Sequence, residues 1–249
     1  MLLSLVCVAL AAPRADAVDY TFAGATYSGF VVWDDAIADK RPGVVMVPNW
    51  MGVTESAVEK AKKIAGTRYV VFVADMYGKG QRPSDTKQAG EFAGKVYADR
   101  AAMRGRADAA LKALLASKAP VDPAKTAAIG FCFGGSTALE LARSGADVDA
   151  VVSFHGGLTT PAPAEKGKVR ASVLVLNGAA DGYVKPEDVA ALQKEMTDAG
   201  ADWTFVNFSG AVHCFAEADA KSPPGCVYDE KAATRAYAMM EDFLAQAWR

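Results

Sequence analysis

Histidine and cysteine are scarce in this chain of 249 residues, which holds two of the first and four of the second. None of them falls in a paired C-x-x-C or H-x-x-x-H spacing, the usual sequence sign of zinc, so no metal site is expected. An excess of one charge is missing as well. The formal net charge is −2 with no long basic run, which removes the electrostatic reason to invoke nucleic acid or an anionic membrane as partner. No apolar run reaches the roughly 20 residues that a membrane-spanning helix needs. Internal repeats, low-complexity tracts and linkers are also absent, and nothing points to a cofactor. A chain of this length without such divisions suits one large domain, because a sheet covered by helices on both faces often runs past about 200 residues before splitting. The partner that fits is a small neutral molecule. The sequence carries no sign of subunit number.

What is present begins with hydrophobic residues, which make up 51% of the chain against 22% charged, enough for a substantial core. The N-terminus opens with an apolar run from Met1 to Ala12 of the length of a signal-peptide core, and Ala15-Asp16-Ala17 follows in the A-x-A cleavage pattern. This predicts a signal peptide over 1–17, a single domain over 18–249, and export to a periplasmic or extracellular compartment. No Lys or Arg precedes the apolar run, and a misassigned start would instead leave the protein cytoplasmic. Val6, where a lipoprotein signal needs a small residue before Cys7, argues against lipidation.

Tyr20-Thr21-Phe22 and Tyr27 to Trp33 alternate around Gly24 as a hairpin of edge strands would. Val44-Val45-Met46-Val47 and Val70-Val71-Phe72-Val73 are continuous apolar runs of the kind buried on both faces of a sheet. Between them Thr54 caps a helix that ends at Gly66. A helical pattern from Thr86 to Ser117 is interrupted by Gly90, Gly94 and Gly105, which argue against one unbroken helix. Strands are then expected at Thr126 to Phe131, Ala150 to Phe154, Val173 to Leu176 and Trp203 to Phe208. Helices are expected at Ser136 to Ser144, Pro186 to Ala199 and Glu230 to Trp248. Such alternation implies an α/β fold with a mostly parallel central sheet, right-handed crossovers and helices on both faces.

The most informative stretch is Gly130-Phe131-Cys132-Phe133-Gly134-Gly135, between an expected strand and an expected helix. It matches the nucleophile elbow G-x-S-x-G with cysteine in place of serine. The turn is so sharp that a side chain at Gly130 or Gly134 would strike neighbouring backbone, and it lifts the central side chain toward the N–H groups opening the next helix. An acid and a histidine should follow in that order, each after a later strand. Asp181 follows the strand ending near Asn177, at a carboxyl strand end where open α/β sheets place their sites. His213 follows the last strand and is the better base. His155 comes before any suitable acid and reads as a structural histidine, while Asp188 and Asp198 fall in a helix and read as solvated.

Together with Asp75-Met76-Tyr77-Gly78 and His213-Cys214-Phe215, these residues resemble the dienelactone hydrolase family from about Val44 to the C-terminal helix. The resemblance implies an α/β-hydrolase fold and hydrolysis of a small ester or lactone through a thioester acyl-enzyme. It implies Cys132 as nucleophile, His213 as general base and Asp181 as the group orienting the imidazole. The oxyanion hole would be the backbone N–H groups of Phe133 and Trp50, each such donor being worth roughly 3–4 kcal/mol of barrier in sites of this kind.

The chain departs from the family pattern at two positions. Glu217 stands where the family carries a substrate-binding arginine, and Asn49 stands where it carries a glutamate able to accept the thiol proton. An acid at 217 would repel a carboxylate-bearing substrate, so neutral substrates are expected. Asn49, Met51, Phe131, Phe215 and Glu217 are the expected pocket residues. Two other readings stand beside this one: a non-catalytic relative binding a ligand in the same pocket, and a thiol or metal site built from Cys132, His213, Cys214 and Cys226. If Cys132 stays free, Cys214 and Cys226 are the pair available for a disulfide in an oxidising compartment, the alternative being two free thiols.

Overall fold

The computed structural model describes residues 13–249, and an eight-stranded sheet forms its centre. In chain order the elements are β1 (Arg14–Phe22), β2 (Ala25–Trp33), β3 (Arg41–Val47), α1 (Glu55–Ala65), β4 (Val70–Val73), α2 (Thr86–Ala98), α3 (Arg100–Leu115) and β5 (Val121–Phe131). There follow α4 (Phe133–Arg143), β6 (Ala150–Phe154), β7 (Ser172–Gly178), α5 (Pro186–Asp198), β8 (Trp203–Phe208), a short pair β9 (Lys221–Ser222) and β10 (Cys226–Val227), and α6 (Glu230–Ala247). The strands stand in the order β1-β2-β4-β3-β5-β6-β7-β8, antiparallel from β1 to β4 and parallel from there on.

Side-chain alternation along the strands divides the core in two. Val45 and Val47 of β3 pack with Phe72, Val151 and Val173 toward α2, α3, α4 and α5, whereas Val44 and Met46 pack with Val71, Ile129 and Val152 toward α1 and α6. Both faces are covered, which is why the central strands read as unbroken apolar runs. Among the described residues no helix is long and apolar enough to cross a membrane.

Three expectations change in detail. The hairpin turns on Ala23 and Gly24, both at positive φ (48° and 78°), the geometry that suits a two-residue turn between twisted strands. Of the two hairpin strands, β1 alone lies at the sheet edge, since β2 pairs with β4 on its other side. β1 also starts earlier than expected: Arg14 to Ala17 pair with Trp33 to Phe30, so the proposed cleavage motif is part of the sheet. The apolar run before it lies outside the described residues. In the long helical stretch the break falls at Asp99, whose side chain accepts the Ala102 N–H at 2.9 Å and so caps α3. The glycines lie within the helices, and Gly105 allows α3 to close on Phe22, whose ring would stand 2.2 Å from a Cβ there.

Candidate active site

The elbow sits between β5 and α4. Cys132 has φ 54° and ψ −116°, a conformation that ordinary side chains rarely adopt. The flanking glycines are what permit it: a Cβ at Gly130 would lie 1.9 Å from the Gly134 carbonyl oxygen, and one at Gly134 would lie 2.0 Å from that of Val47. The Cys132 N–H points back into the sheet, with the Phe154 carbonyl oxygen at 3.0 Å and His155 Nδ1 at 3.1 Å. The thiol points the other way and is half-buried, at the N-terminus of α4 where unpaired N–H groups favour negative charge.

Asp181 follows β7 and His213 follows β8, at the carboxyl ends of parallel strands. His213 Nε2 lies 3.0 Å from Cys132 Sγ, and His213 Nδ1 lies 2.7 Å from Asp181 Oδ2. Asp181 is buried and its other oxygen accepts the Tyr183 N–H at 2.9 Å, which fixes the carboxylate's rotation. Burial alone would lower the His213 pKa. The hydrogen bond to Asp181 and the contact with Cys132 outweigh it and raise the pKa to about 10. The loop holding His213 is tied down by a disulfide between Cys214 and Cys226 and by the Val227 N–H, which donates to the His213 carbonyl at 3.1 Å. With those two sulfurs joined, the set Cys132, His213, Cys214 and Cys226 is not assembled as a thiol or metal site.

The turn from Asn49 to Gly52 faces the elbow. Its form is set by the Gly52 N–H donating to the Asn49 carbonyl at 2.9 Å and the Met51 N–H donating to Asn49 Oδ1 at 3.0 Å. The Tyr77 hydroxyl donates to the Trp50 carbonyl at 2.7 Å, while the Trp50 N–H has no acceptor among the described residues. Phe133 is the first residue of α4, so its N–H has no acceptor within the helix. These two donors are the ones that the resemblance assigned to an oxyanion. Around them stand Trp50, partly exposed, and a chain of edge-on and tilted ring contacts through Phe92, Tyr77, Phe133 and Tyr97.

The expected pocket residues separate. Asn49, Met51 and Glu217 line a cavity of about 200 Å3 together with Lys60 and Asp219. A larger cavity of about 560 Å3 lies between α1, α6 and the segment 216–228. Neither cavity is lined by Cys132, Asp181 or His213, so neither hollow lies where these three side chains meet. Phe131 and Phe215 are fully buried and offer no surface to a ligand: Phe131 stacks on Phe154 and Phe215 packs against Phe208 and His155. Glu217 is only 2% exposed, and its Oε2 receives Asn49 Nδ2 at 2.6 Å and Lys60 Nζ at 2.7 Å.

His155 is fully buried beneath the elbow, with its ring edge-on to that of His213 at 5.1 Å. Burial, with the nearby charges of His213 and Lys60, holds its pKa well below the usual value, so it is neutral. Sequence reasoning missed Lys60 and Tyr183 altogether. Tyr183, 72% exposed, sets its ring 5.0 Å from His213 and covers the outer side of the imidazole. Its place two residues after Asp181 was the available signal.

Solved structures show the same architecture over nearly the whole chain. The structure titled m3DLH is 36% identical, with a TM-score of 0.90 over 96% of this chain and 100% of that one. The dienelactone hydrolase-like promiscuous phosphotriesterase P91 from metagenomic libraries is 39% identical, with a TM-score of 0.89 over 95% of this chain and 99% of that one. The uncharacterized protein K02A2.1 of Caenorhabditis elegans is 35% identical over 153 residues, 59% of this chain and 94% of its own length. The fold is that of an α/β hydrolase. The model of the dienelactone hydrolase family matches residues 28–248, and the chain belongs to that family and is a hydrolase of its type.

Proposed function

We propose that the protein hydrolyses small neutral esters or lactones through a Cys132-His213-Asp181 triad and a thioester acyl-enzyme. The observation that carries this reading is the imidazole of His213 reaching both Cys132 Sγ at 3.0 Å and Asp181 Oδ2 at 2.7 Å. For attack, the thiol proton passes to His213 Nε2, 3.0 Å from the sulfur, whose protonated form the hydrogen bond to Asp181 favours. The thiolate of Cys132 attacks the acyl carbon, and the carbonyl oxygen takes the negative charge and is held by the N–H groups of Trp50 and Phe133. Collapse expels the alkoxide, which takes the proton from His213. Water then gives a proton to His213 and attacks the thioester; the acid leaves and the thiolate is restored. Asp181 keeps Nε2 aimed at sulfur throughout.

P91 is described as a promiscuous phosphotriesterase, which makes a neutral phosphotriester a second substrate worth trying, since it offers the same nucleophile and donors an uncharged tetrahedral centre. The Cys214–Cys226 disulfide supports export to an oxidising compartment. The pairing of Arg14 to Ala17 with β2 favours removal of any leader before Arg14, which N-terminal sequencing of secreted protein would test. For the chemistry, the test is turnover of a chromogenic short-chain ester before and after alkylation with iodoacetamide. Loss of turnover in step with modification of Cys132 is the expected result. Undiminished turnover by fully alkylated protein would end the reading.

A further inference from the structure

Glu217 is a buried acid with one oxygen fully used and the other idle. Oε2 takes hydrogen bonds from Asn49 and Lys60, whereas Oε1 has no partner among the described residues. Facing it at 4.0 Å is His155 Nε2, also buried and also without a partner. That gap is roughly an ångström longer than a hydrogen bond. Two idle polar atoms facing each other in a core call for an explanation, because such groups are costly unless they serve something.

Each side of Glu217 leads to one wall of the oxyanion site. On one side, Asn49 has its amide orientation fixed by the network: Oδ1 must accept the Met51 N–H, so Nδ2 must face Glu217. Held there, Asn49 shapes the turn whose next residue, Trp50, presents its free N–H. On the other side, His155 Nδ1 accepts from the Cys132 N–H, which leaves the proton of the neutral ring on Nε2, toward Glu217. Lys60 neutralises the acid while lying 4.2 Å from the centre of the Phe131 ring, so the cluster carries no net charge. Glu217 is thus withdrawn from solvent and engaged with Asn49 and Lys60.

We propose that Glu217 is a positioning residue which, neutralised by Lys60, spans from the Asn49–Gly52 turn to His155 and sets the separation of the Trp50 and Phe133 N–H donors. This rests on the Cys132 reading above and makes the donor pair depend on a cluster that never touches the acyl group. Removing one member alone would leave a buried charge uncompensated, so paired substitutions are the informative ones. Lys60→Met with Glu217→Met removes the charges and the acceptor for Asn49. Lys60→Met with Glu217→Gln removes the charges and keeps the acceptor.

Three quantities would be measured for each: the acylation burst on a short-chain nitrophenyl ester, KM, and the rate of Cys132 alkylation by iodoacetamide, which needs no oxyanion donors. The double methionine variant is expected to acylate about 10- to 100-fold more slowly, as when an oxyanion donor is displaced. Its KM and alkylation rate should stay within about twofold, and the glutamine variant should recover most of the burst. Asn49→Ala, which disturbs only the partly exposed end, should give the same split should the double variant fold poorly. A normal burst in the methionine variant, alkylation falling in parallel with acylation, or no recovery with glutamine would each overturn the proposal. Failure of the underlying reading would show separately, as turnover surviving alkylation in the wild-type protein.

Discussion

The two ends of α4 both bury charged groups, yet they treat them in opposite ways. At the C-terminal end Arg143 makes a two-bond contact with Glu195 at 2.8 Å each, meets Glu140 at 3.2 Å and donates to the Leu158 carbonyl at 2.7 Å. Arg104 closes the cluster, reaching Glu140 at 2.7 Å and the Ala162 carbonyl at 2.6 Å. None of these four side chains has an idle buried nitrogen or oxygen among the described residues. At the N-terminal end Cys132 is strained and half-exposed, and idle atoms of His155 and Glu217 lie behind it. A saturated network holds a fold together; a strained cysteine with incompletely bonded groups behind it is the kind of place where function is sought.

Substitutions at the two ends should therefore fail differently. The largest effect is expected at the open end, where Cys132→Ala or His213→Ala should cut kcat/KM by at least about 10³-fold with little change in Tm, because groups acting as a unit fail together. Asp181→Asn should be milder, since the base is misoriented but present. At the closed end Arg143→Met should cost about 3–5 kcal/mol in denaturant unfolding by stranding Glu195, while Glu140 keeps Arg104. It should leave kcat/KM per folded molecule unchanged. A catalytic loss from Arg143→Met without a loss of stability would erase the distinction.

The disulfide comes next in size. Replacing Cys214 and Cys226 together by serine opens a loop whose ends are 12 residues apart, an entropic loss of about 3 kcal/mol in the chain-entropy account. Since the same loop carries His213, kcat should fall as well. Unchanged kcat with lowered Tm would show that Asp181 and the Val227 N–H hold the imidazole unaided.

The smallest effects are those of pH, and the two histidines should give opposite signs. His213, with its folded pKa raised to about 10, contributes stability that is complete below its unfolded value of about 6.5 and lost as pH rises through about 10. His155, with its folded pKa depressed, favours the unfolded chain once pH falls below about 6.5, because only the unfolded form readily takes the proton. Tm measured from pH 5 to 10.5 should decline at both limits. His155→Gln, which cannot take up that proton, should flatten the acid side alone; an unchanged acid limb would assign it to other groups.

How much of this was legible depended on how local the cause was. The elbow could be read because Gly130 and Gly134 answer a steric demand within five residues, and the strands could be read because each is buried on both faces. Asp181 and His213 followed from their places after successive strands. Lys60 could not be read: on the sequence it is one charge on the polar side of an amphipathic helix, and its partner lies 157 residues away. The same distance hid the inward turn of Glu217, which residue type alone would place at a substrate. At the α2–α3 boundary the glycines compete with Asp99 as helix breakers, and the capping side chain of Asp99 is the stronger signal. At the N-terminus a short-range cleavage pattern competed with a strand whose only partner is the next one along, and alternation in Arg14 to Ala17 was too weak to reveal it.

The joining of Cys214 to Cys226 also bears on oxidative damage. Many reactive thiols survive a first oxidation because a neighbouring thiol condenses with the sulfenic acid and stores it as a reducible bond. Here the other two cysteines among the described residues are already bonded to each other, so Cys132 has no free thiol among those residues to close upon. Once oxidised, and with no partner among the described residues, it depends on a thiol from elsewhere, and without one it should pass on to the irreversible acids. Intact-mass analysis after mild peroxide should find the doubly and triply oxygenated forms accumulating with loss of activity. A reducible link from Cys132 to Cys214 or Cys226 in that experiment would instead mean that the 214–226 bridge exchanges, and that Cys132 has a protector after all.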